Sequence, residues 1–327
     1  MNDILAVSIS NVYDTYKMKY LLDSANINNF TIEIIGLNKP FTFLSKILFL
    51  KEYLENLSGD NNPIICFTDA YDVFYSDSLE TIKQKFLSHN VDIVWSVERW
   101  YSHQLKNDLD FYENLANITN SPYKYINTGT FIGYKNSLLH LLNDIEISIN
   151  NNTFLDELNN EGWNLNSLYV DQTIISHHLA KEWNNYNIKF DYNCEIFYIP
   201  SGDWDDIDRY IDINLFNNIT KNKPSIVHVP CKSVYEDILI KLFYIRYKSL
   251  SVNILDYKTY SWNNDSITFL EYQQMNAFGI GSYTFQDTYT IWANFGWKIH
   301  TFVFNNDYTE FTSTRHDDNE IVKGKLL

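Results

Sequence analysis

The chain has 327 residues, 45% of them hydrophobic, and a formal net charge of −16. This length and apolar content admit one large α/β domain with a small companion, or two medium domains, and exclude global disorder. The acidity excludes a general nucleic-acid binder, because phosphate backbones would be repelled; it is compatible with simple solubility or with a basic acceptor such as a lysine-rich peptide.

Residues 1–10 are too short and too weakly flanked for a signal peptide, and Ile4 to Ile9 reads as the first strand. A helical spacing follows over Asn11 to Asn26, then a strand from Phe30 to Leu37. Phe43 to Leu57 is a strongly amphipathic helix, with Lys46, Lys51 and Glu55 largely off its apolar face. Ile64 to Phe67 is a short β-branched run that breaks abruptly at Asp69-Ala70-Tyr71-Asp72. Unpaired carboxylates are too costly inside a buried strand, so both acids are expected just past its carboxyl end. That is where ligands bind in open α/β sheets. Two convergent carboxylates there suit a hard divalent cation, and a hard cation suits a pyrophosphate. The plain alternative is a strand ending in a polar turn. The β-α-β-α-β order implies parallel strands joined by right-handed crossovers, with helices on both faces.

Ser78 to Ser88 is the next helix, with Ser78 as its N-cap. Val91 to Val97 is a strand ending at Glu98, Arg99 and Trp100, and residues 101–124 read as a loop with a short helix. Tyr125 to Tyr134 reads as a strand bent at Gly129 and Gly133, where Asn127 supplies an amide donor and acceptor. Leu138 to Ile149 is helical, and Tyr169 to Ile175 begins another helix with Asp171 in its first turn. The adjacent His177 and His178 point to different sides and read as structural. Lys223 to Lys232 is a strand that ends in chemistry, with His228 able to complete a manganese shell if carboxylates face it. From about residue 252 the chain is rich in Tyr, Phe, Trp and Thr in short alternating runs, which suggests a small antiparallel β unit with turns at Gly279, Gly281 and Gly296. Cys66, Cys194 and Cys231 are too few and too scattered for a disulfide framework or a zinc site, no run reaches the length of a membrane span, and a reducing, cytoplasmic setting is expected. Exposed aromatics in the tail admit a homodimer.

Five segments, taken together, carry a resemblance: Phe67 to Val73, Ser96-Val97-Glu98, Tyr125 to Gly133, Asp171-Gln172, and Val227-His228 followed by Lys232. In this order they resemble the N-terminal glycosyltransferase domain of procollagen lysyl hydroxylases and its giant-virus relatives, over roughly residues 4–235. The resemblance implies a GT-A (Rossmann-like) glycosyltransferase fold with a mixed central sheet over residues 1–250, leaving a β-rich accessory region over 251–327. It implies a retaining, manganese-dependent transfer of glucose from UDP-glucose to galactosyl-hydroxylysine of a collagen-like acceptor, here by a viral protein in the host cytoplasm or a viral factory.

Carried over residue by residue, Asp69, Asp72 and His228 look like the metal ligands, and Asp69 also like a ribose contact. Tyr71 looks like the uracil-stacking aromatic, and Lys46 and Lys232 like diphosphate contacts. Asp171 and Asn127 match polar groups beside the transferred sugar, and Glu98 and Trp100 lie in the segment lining the acceptor side. The chain departs from the family in three places. Val170 stands where the family has a further acid; Val229-Pro230-Cys231 replace a longer Gly-rich loop; and Phe41 or Phe43 stands in for a tryptophan after the second strand. Two other readings of the same acids are a transfer of galactose to hydroxylysine or of a sugar to a different glycan, and a non-catalytic UDP-sugar or glycan-binding protein. A metal-dependent hydrolase ranks below both, because no further carboxylates are placed for a second metal.

Overall fold

A computed structural model of the chain describes residues 3–15, 17–58, 61–203, 207–212, 214–230, 232–247, 255, 258–263, 265–270, 274–277, 280–285, 289–295 and 298–327. It divides into two units, Met1–Leu239 and Ile240–Leu327.

The first unit opens β1 (Ile4–Ile9), α1 (Lys19–Ile27), β2 (Ile32–Ile35), α2 (Phe43–Asn56), β3 (Ile64–Asp69). Both crossovers give parallel pairing, β1 with β2 and β1 with β3, as the alternation of elements requires. α1 is shorter than its hydrophobic spacing suggests. It starts at Lys19, because Ser10 and Asp14 bind nearby backbone in the preceding turn: Ser10 Oγ donates to the Val12 carbonyl, and Asp14 accepts the Lys17 N–H. Tyr16 lies outside the described residues. α2 begins at a reciprocal cap in which Thr42 and Ser45 each accept the other's backbone N–H, and it buries Ile47, Leu50 and Leu54.

The remaining elements of this unit are β4 (Val73–Tyr75), α3 (Leu79–Ser88), β5 (Ile93–Glu98), α4 (Leu109–Asn117), β6 (Tyr125–Tyr134), α5 (Lys135–Ile149), α6 (Asn152–Asn160), α7 (Val170–Glu182), β7 (Ile188–Phe190), β8 (Phe197–Tyr198), α8 (Ile207–Tyr210) and β9 (Ile226–His228), with α9 (Lys232–Tyr247) running across the division. The central sheet is mixed, in the order β2-β1-β3-β6-β5-β7, with β6 antiparallel to both neighbours. Phe67, Phe131 and Trp95 stack across β3, β6 and β5 with ring centroids 4.7 and 4.3 Å apart, which pins this register. A second small sheet, β4-β9-β8, lies beside it.

β6 leaves its ladder where the site begins. Its pairing with β5 jumps from Trp95↔Phe131 to Val97↔Ile126, so on the β5 side the segment 127–130 faces Ser96 alone, while Thr130 stays paired with Thr68 of β3. Trp95 Nε1 donates to the Asn127 carbonyl at 2.9 Å, and Ser96 Oγ lies 2.9 and 2.7 Å from the carbonyls of Asn127 and Thr130. These side chains satisfy the carbonyls that lost ladder partners and re-aim the Asn127–Gly129 side chains and backbone.

In the second unit the described strands, β10 (Thr259–Trp262), β11 (Asp265–Leu270), β12 (Gln274–Asn276), β13 (Ile280–Phe285), β14 (Thr290–Phe295), β15 (Lys298–Phe304), β16 (Glu310–Arg315) and β17 (Ile321–Leu326), form one closed antiparallel barrel, with β10 pairing back to β17. Closure removes the exposed edges, and the interior is filled by Tyr260, Phe269, Phe302, Phe304, Phe311 and their neighbours. Gly281 sits within β13 opposite Met275 and not in a turn. Gly279 and Gly296 lie outside the described residues. Among the described residues no helix is long and apolar enough to cross a membrane.

Candidate metal centre and sugar cleft

Asp69 is the last residue of β3, in register with Ile9 of β1. Asp72 follows in the tight turn before β4. β4 pairs antiparallel with β9 so that Val73 faces His228, and the Val229 N–H donates to the Asp72 carbonyl at 2.8 Å. The small sheet therefore brings a residue 156 positions downstream onto the acids. Nε2 of His228 lies 3.7 Å from Oδ2 of Asp69 and 3.5 Å from Oδ1 of Asp72, and one donor atom from each residue falls within 4.8 Å of the others.

Three observations fit this trio to a divalent cation. His228 is buried, yet its Nε2 has no hydrogen-bond partner, a costly state for a buried polar atom. The donor set of two carboxylates and one imidazole is one that hard-to-borderline divalent ions accept. The third is the space left by Gly129: a Cβ there would fall 2.1 Å from His228 Cε1 and 2.8 Å from Asp69 Oδ2. Burial works against a charged His228, but Asp72 and then Asp69 outweigh it and hold the ring above the ordinary imidazole range.

Lys46 departs from its expected place off the buried face of α2. It is only 8% exposed, with Nζ 2.9 Å from Asp69 Oδ1 and 2.9 Å from Asp171 Oδ2. Burial opposes its charge, and Asp171 together with Asp69 reverses that, keeping the ammonium above the usual lysine range. Asp69 keeps 27% of its side-chain surface open to the cleft. Its surroundings nonetheless raise its carboxyl above the usual range by desolvation, against the pull of Lys46 and His228. Asp171, in the first turn of α7, also accepts Thr128 Oγ1 at 3.0 Å.

Asn127 stands between the trio and Glu98. Its Oδ1 accepts the Gly129 N–H at 2.9 Å and faces His228 Nδ1 at 3.1 Å, and its Nδ2 donates to Glu98 Oε1 at 3.2 Å. Glu98 is buried and also accepts Gln172 Nε2 at 3.2 Å. Burial raises its carboxyl, and hydrogen bonds from Ser201, Asn127 and Gln172 draw it partly back.

These groups line one cleft of about 340 Å³. Asp69, Asp72, His228, Lys46, Asn127, Asp171, Glu98 and Trp100, all singled out in the sequence, meet there. Tyr71 is not among the lining residues; its hydroxyl lies 2.6 Å from Ser10 Oγ just past β1, and its ring packs partly against the core. Lys232 opens α9, and its side chain lies outside the described residues. The cleft also contains Phe43, one of the two phenylalanines that stand where the family has a tryptophan, and His103 and Tyr169, which the sequence did not single out. His177 and His178 are structural: His177 bonds Asp108 and Glu157, and His178 bonds Ser148 and Tyr186.

Residues 2–236 match the family described as the PLOD GT domain. A procollagen-lysine,2-oxoglutarate 5-dioxygenase of Drosophila melanogaster is 25% identical over 191 residues, which is 56% of this chain and 23% of that protein. Procollagen-lysine,2-oxoglutarate 5-dioxygenase 2 of Mus musculus is 24% identical over 197 residues, 57% of this chain and 24% of that protein. A multifunctional procollagen lysine hydroxylase and glycosyltransferase of Caenorhabditis elegans is 27% identical over 134 residues, 37% of this chain and 17% of that protein. The matched region thus spans less than a quarter of the length of each of these curated relatives.

Proposed function

Because the chain belongs to the PLOD GT domain family, we propose that it is a metal-dependent glycosyltransferase of GT-A type. In this reading it moves a hexose, glucose in the first instance, from a UDP-sugar to a galactosyl-hydroxylysine-type acceptor. The observation that carries this reading is the convergence of Asp69, Asp72 and the partnerless Nε2 of His228 at the carboxyl end of β3, beside a buried lysine and a cleft lined by amides and carboxyl groups.

Asp69, Asp72 and His228 would hold the cation, manganese in this reading. Bound there, it supplies charge neutralisation and Lewis acidity for a departing diphosphate. Lys46 adds a fixed positive charge at the same end of the cleft and needs no reorganisation to present it. Thr128 and Lys46 hold the Asp171 carboxylate oriented in the cleft, where it can bind sugar hydroxyls or face positive charge at the anomeric carbon. Asn127 and Gln172 present amides to the sugar while fixing Glu98. Tyr71, in the turn after β3 and beside Ser10, is assigned to the nucleoside side, and Lys232 to the diphosphate.

The experiment is a UDP-release assay with UDP-glucose and UDP-galactose in turn, with hydroxylysine and galactosyl-hydroxylysine collagen peptides, in manganese and in chelator. Manganese-dependent release from one donor, stimulated by one peptide, is the expected result. Nucleotide binding without turnover under every condition would convert the assignment to a UDP-sugar-binding protein. The burial of Val170, which leaves Asp171 as the acid that α7 brings to the cleft, makes that the second reading.

A further inference from the structure

Two residues lining the cleft hold a backbone conformation that L side chains rarely adopt. Tyr169 has φ 59° and His103 has φ 61°, and neither is glycine. Such strain persists only where the surroundings hold it, and it gathers at ligand-binding sites. Here both strained positions aim aromatic rings at each other, with centroids 4.6 Å apart and planes tilted by 32°. Phe43 extends the wall, 4.8 Å from Tyr169, and Trp163 braces it from behind, 5.7 Å from His103. Phe43, His103, Trp163 and Tyr169 come from α2, the loop after β5 and the segment before α7, so the wall is built by the tertiary fold and not by one local motif.

The cleft is graded from end to end. Its charged end, with Asp69, Asp72, His228 and Lys46, suits a cation and the diphosphate that a cation attracts. Its floor, with Asn127, Asp171, Gln172 and Glu98, is buried and rich in planar amides and carboxylates. Its rim is aromatic and open: Tyr169 is 38% exposed and Trp100 52%. A hexose joined to the diphosphate is tethered beside the charged end and reaches the floor. An acceptor carries no diphosphate to draw it to the charged end and is left the aromatic rim. The polarised C–H face of a pyranose packs on an aromatic face, while its hydroxyls bond amides and carboxylates below.

Building on the transferase reading, we propose that Tyr169 and His103 form the acceptor wall of the cleft and hold the pyranose ring of a hexoside acceptor, making them specificity-determining residues for an already glycosylated acceptor over a bare hydroxyl. The positive φ at both positions sets the angle of the rings. A glycine at 169 would relieve the backbone strain but remove the wall, whereas a phenylalanine keeps the wall at the same strain.

The test is a KM comparison in the manganese-dependent UDP-release assay, varying UDP-glucose and a galactosyl-hydroxylysine peptide separately. Tyr169→Gly and His103→Ala should each raise the KM for the glycosylated peptide about tenfold, the loss of one aromatic contact. The KM for UDP-glucose should move by less than about threefold, and Tyr169→Phe should behave as wild type. A shift in the donor KM in place of the acceptor KM overturns the proposal, as does no shift in either. If the wild-type chain turns over no donor, the transferase reading fails, and the wall is then judged by calorimetric binding of the same peptide. Weaker binding to His103→Ala and Tyr169→Gly sustains it, and equal binding to all three proteins overturns it. A melting curve on each variant separates loss of the wall from loss of fold, and His103→Ala carries the test if Tyr169→Gly does not fold.

Discussion

Nδ1 of His228 lies 3.1 Å from Oδ1 of Asn127, and the same oxygen accepts the backbone N–H of Gly129 at 2.9 Å. A backbone N–H can only donate, so it fixes which end of the Asn127 amide is oxygen. That oxygen in turn requires a proton on Nδ1 of His228, so Nε2, which faces Asp69 and Asp72, is the atom a cation would take. Asn127→Ala removes the support of the ring. Outer-shell partners of this kind are worth about 10–100-fold in metal affinity. A calorimetric titration with Mn²⁺ should show a loss of that order, and unchanged affinity would mean that the ring needs no such support.

Gly129 offers a sharper test of the same centre. A Cβ at this position would meet His228 Cε1 at 2.1 Å and Nδ1 at 2.6 Å, so the ring has to move. Mn²⁺ should raise the melting temperature of the wild type, and Gly129→Ala should abolish that rise. The apo protein should lose only the about 1–3 kcal/mol typical of overpacking. A retained manganese response in the variant would show that the cation sits elsewhere.

The strand–turn–acid run, the parallel start of the sheet and the meeting of Asp69 with Asp72 are all legible from β-branched content and the cost of burying a charge. The approach of His228 is legible only in part. Its strand shows in the sequence, but the antiparallel pairing of β4 with β9 that brings it to the acids does not. Lys46 illustrates a different limit. Helical periodicity places it off the apolar face, and two distant carboxylates draw it inward. Tyr169 and His103 have no sequence signal, because positive φ is foreseeable at Gly or Asn and not at aromatic residues. The small antiparallel β unit is legible as short alternating runs, but its closure into a barrel depends on the pairing of its first strand with its last, which local pattern does not encode.

His300 makes the stability of the second unit depend on pH. It is 4% exposed, with its ring 5.7 Å from Trp262 and Nδ1 3.4 Å from Ser313 Oγ. Burial, reinforced by Arg315, lowers its pKa to about 4. The unfolded chain takes up the proton near about 6.5, so between these values the unfolded state binds more protons, and stability falls as pH falls. Discounted for solvent reaching the ring, the loss should be about 1 kcal/mol between pH 7 and pH 5. Denaturant unfolding of wild type and His300→Leu at both pH values measures it, and the extra pH slope should be absent from the variant.

Lys46, itself buried, bridges the carboxylates of Asp69 and Asp171. Removing one partner of a buried ion pair costs about 3–5 kcal/mol, chiefly because an uncompensated charge remains. Lys46→Met leaves both Asp69 and Asp171 without their cation and should fall in that range. Asp171→Asn alone keeps Lys46 paired with Asp69 and should cost less. In the double variant the orphaned charge at 171 is gone, so the two losses should not add, and the coupling should exceed about 1 kcal/mol. Mn²⁺ should stabilise Lys46→Met more than it stabilises the wild type, because it restores positive charge beside Asp69. Urea unfolding of the four proteins, with and without Mn²⁺, reads all four quantities; simple additivity would show that Asp69 and Asp171 do not share the lysine in solution.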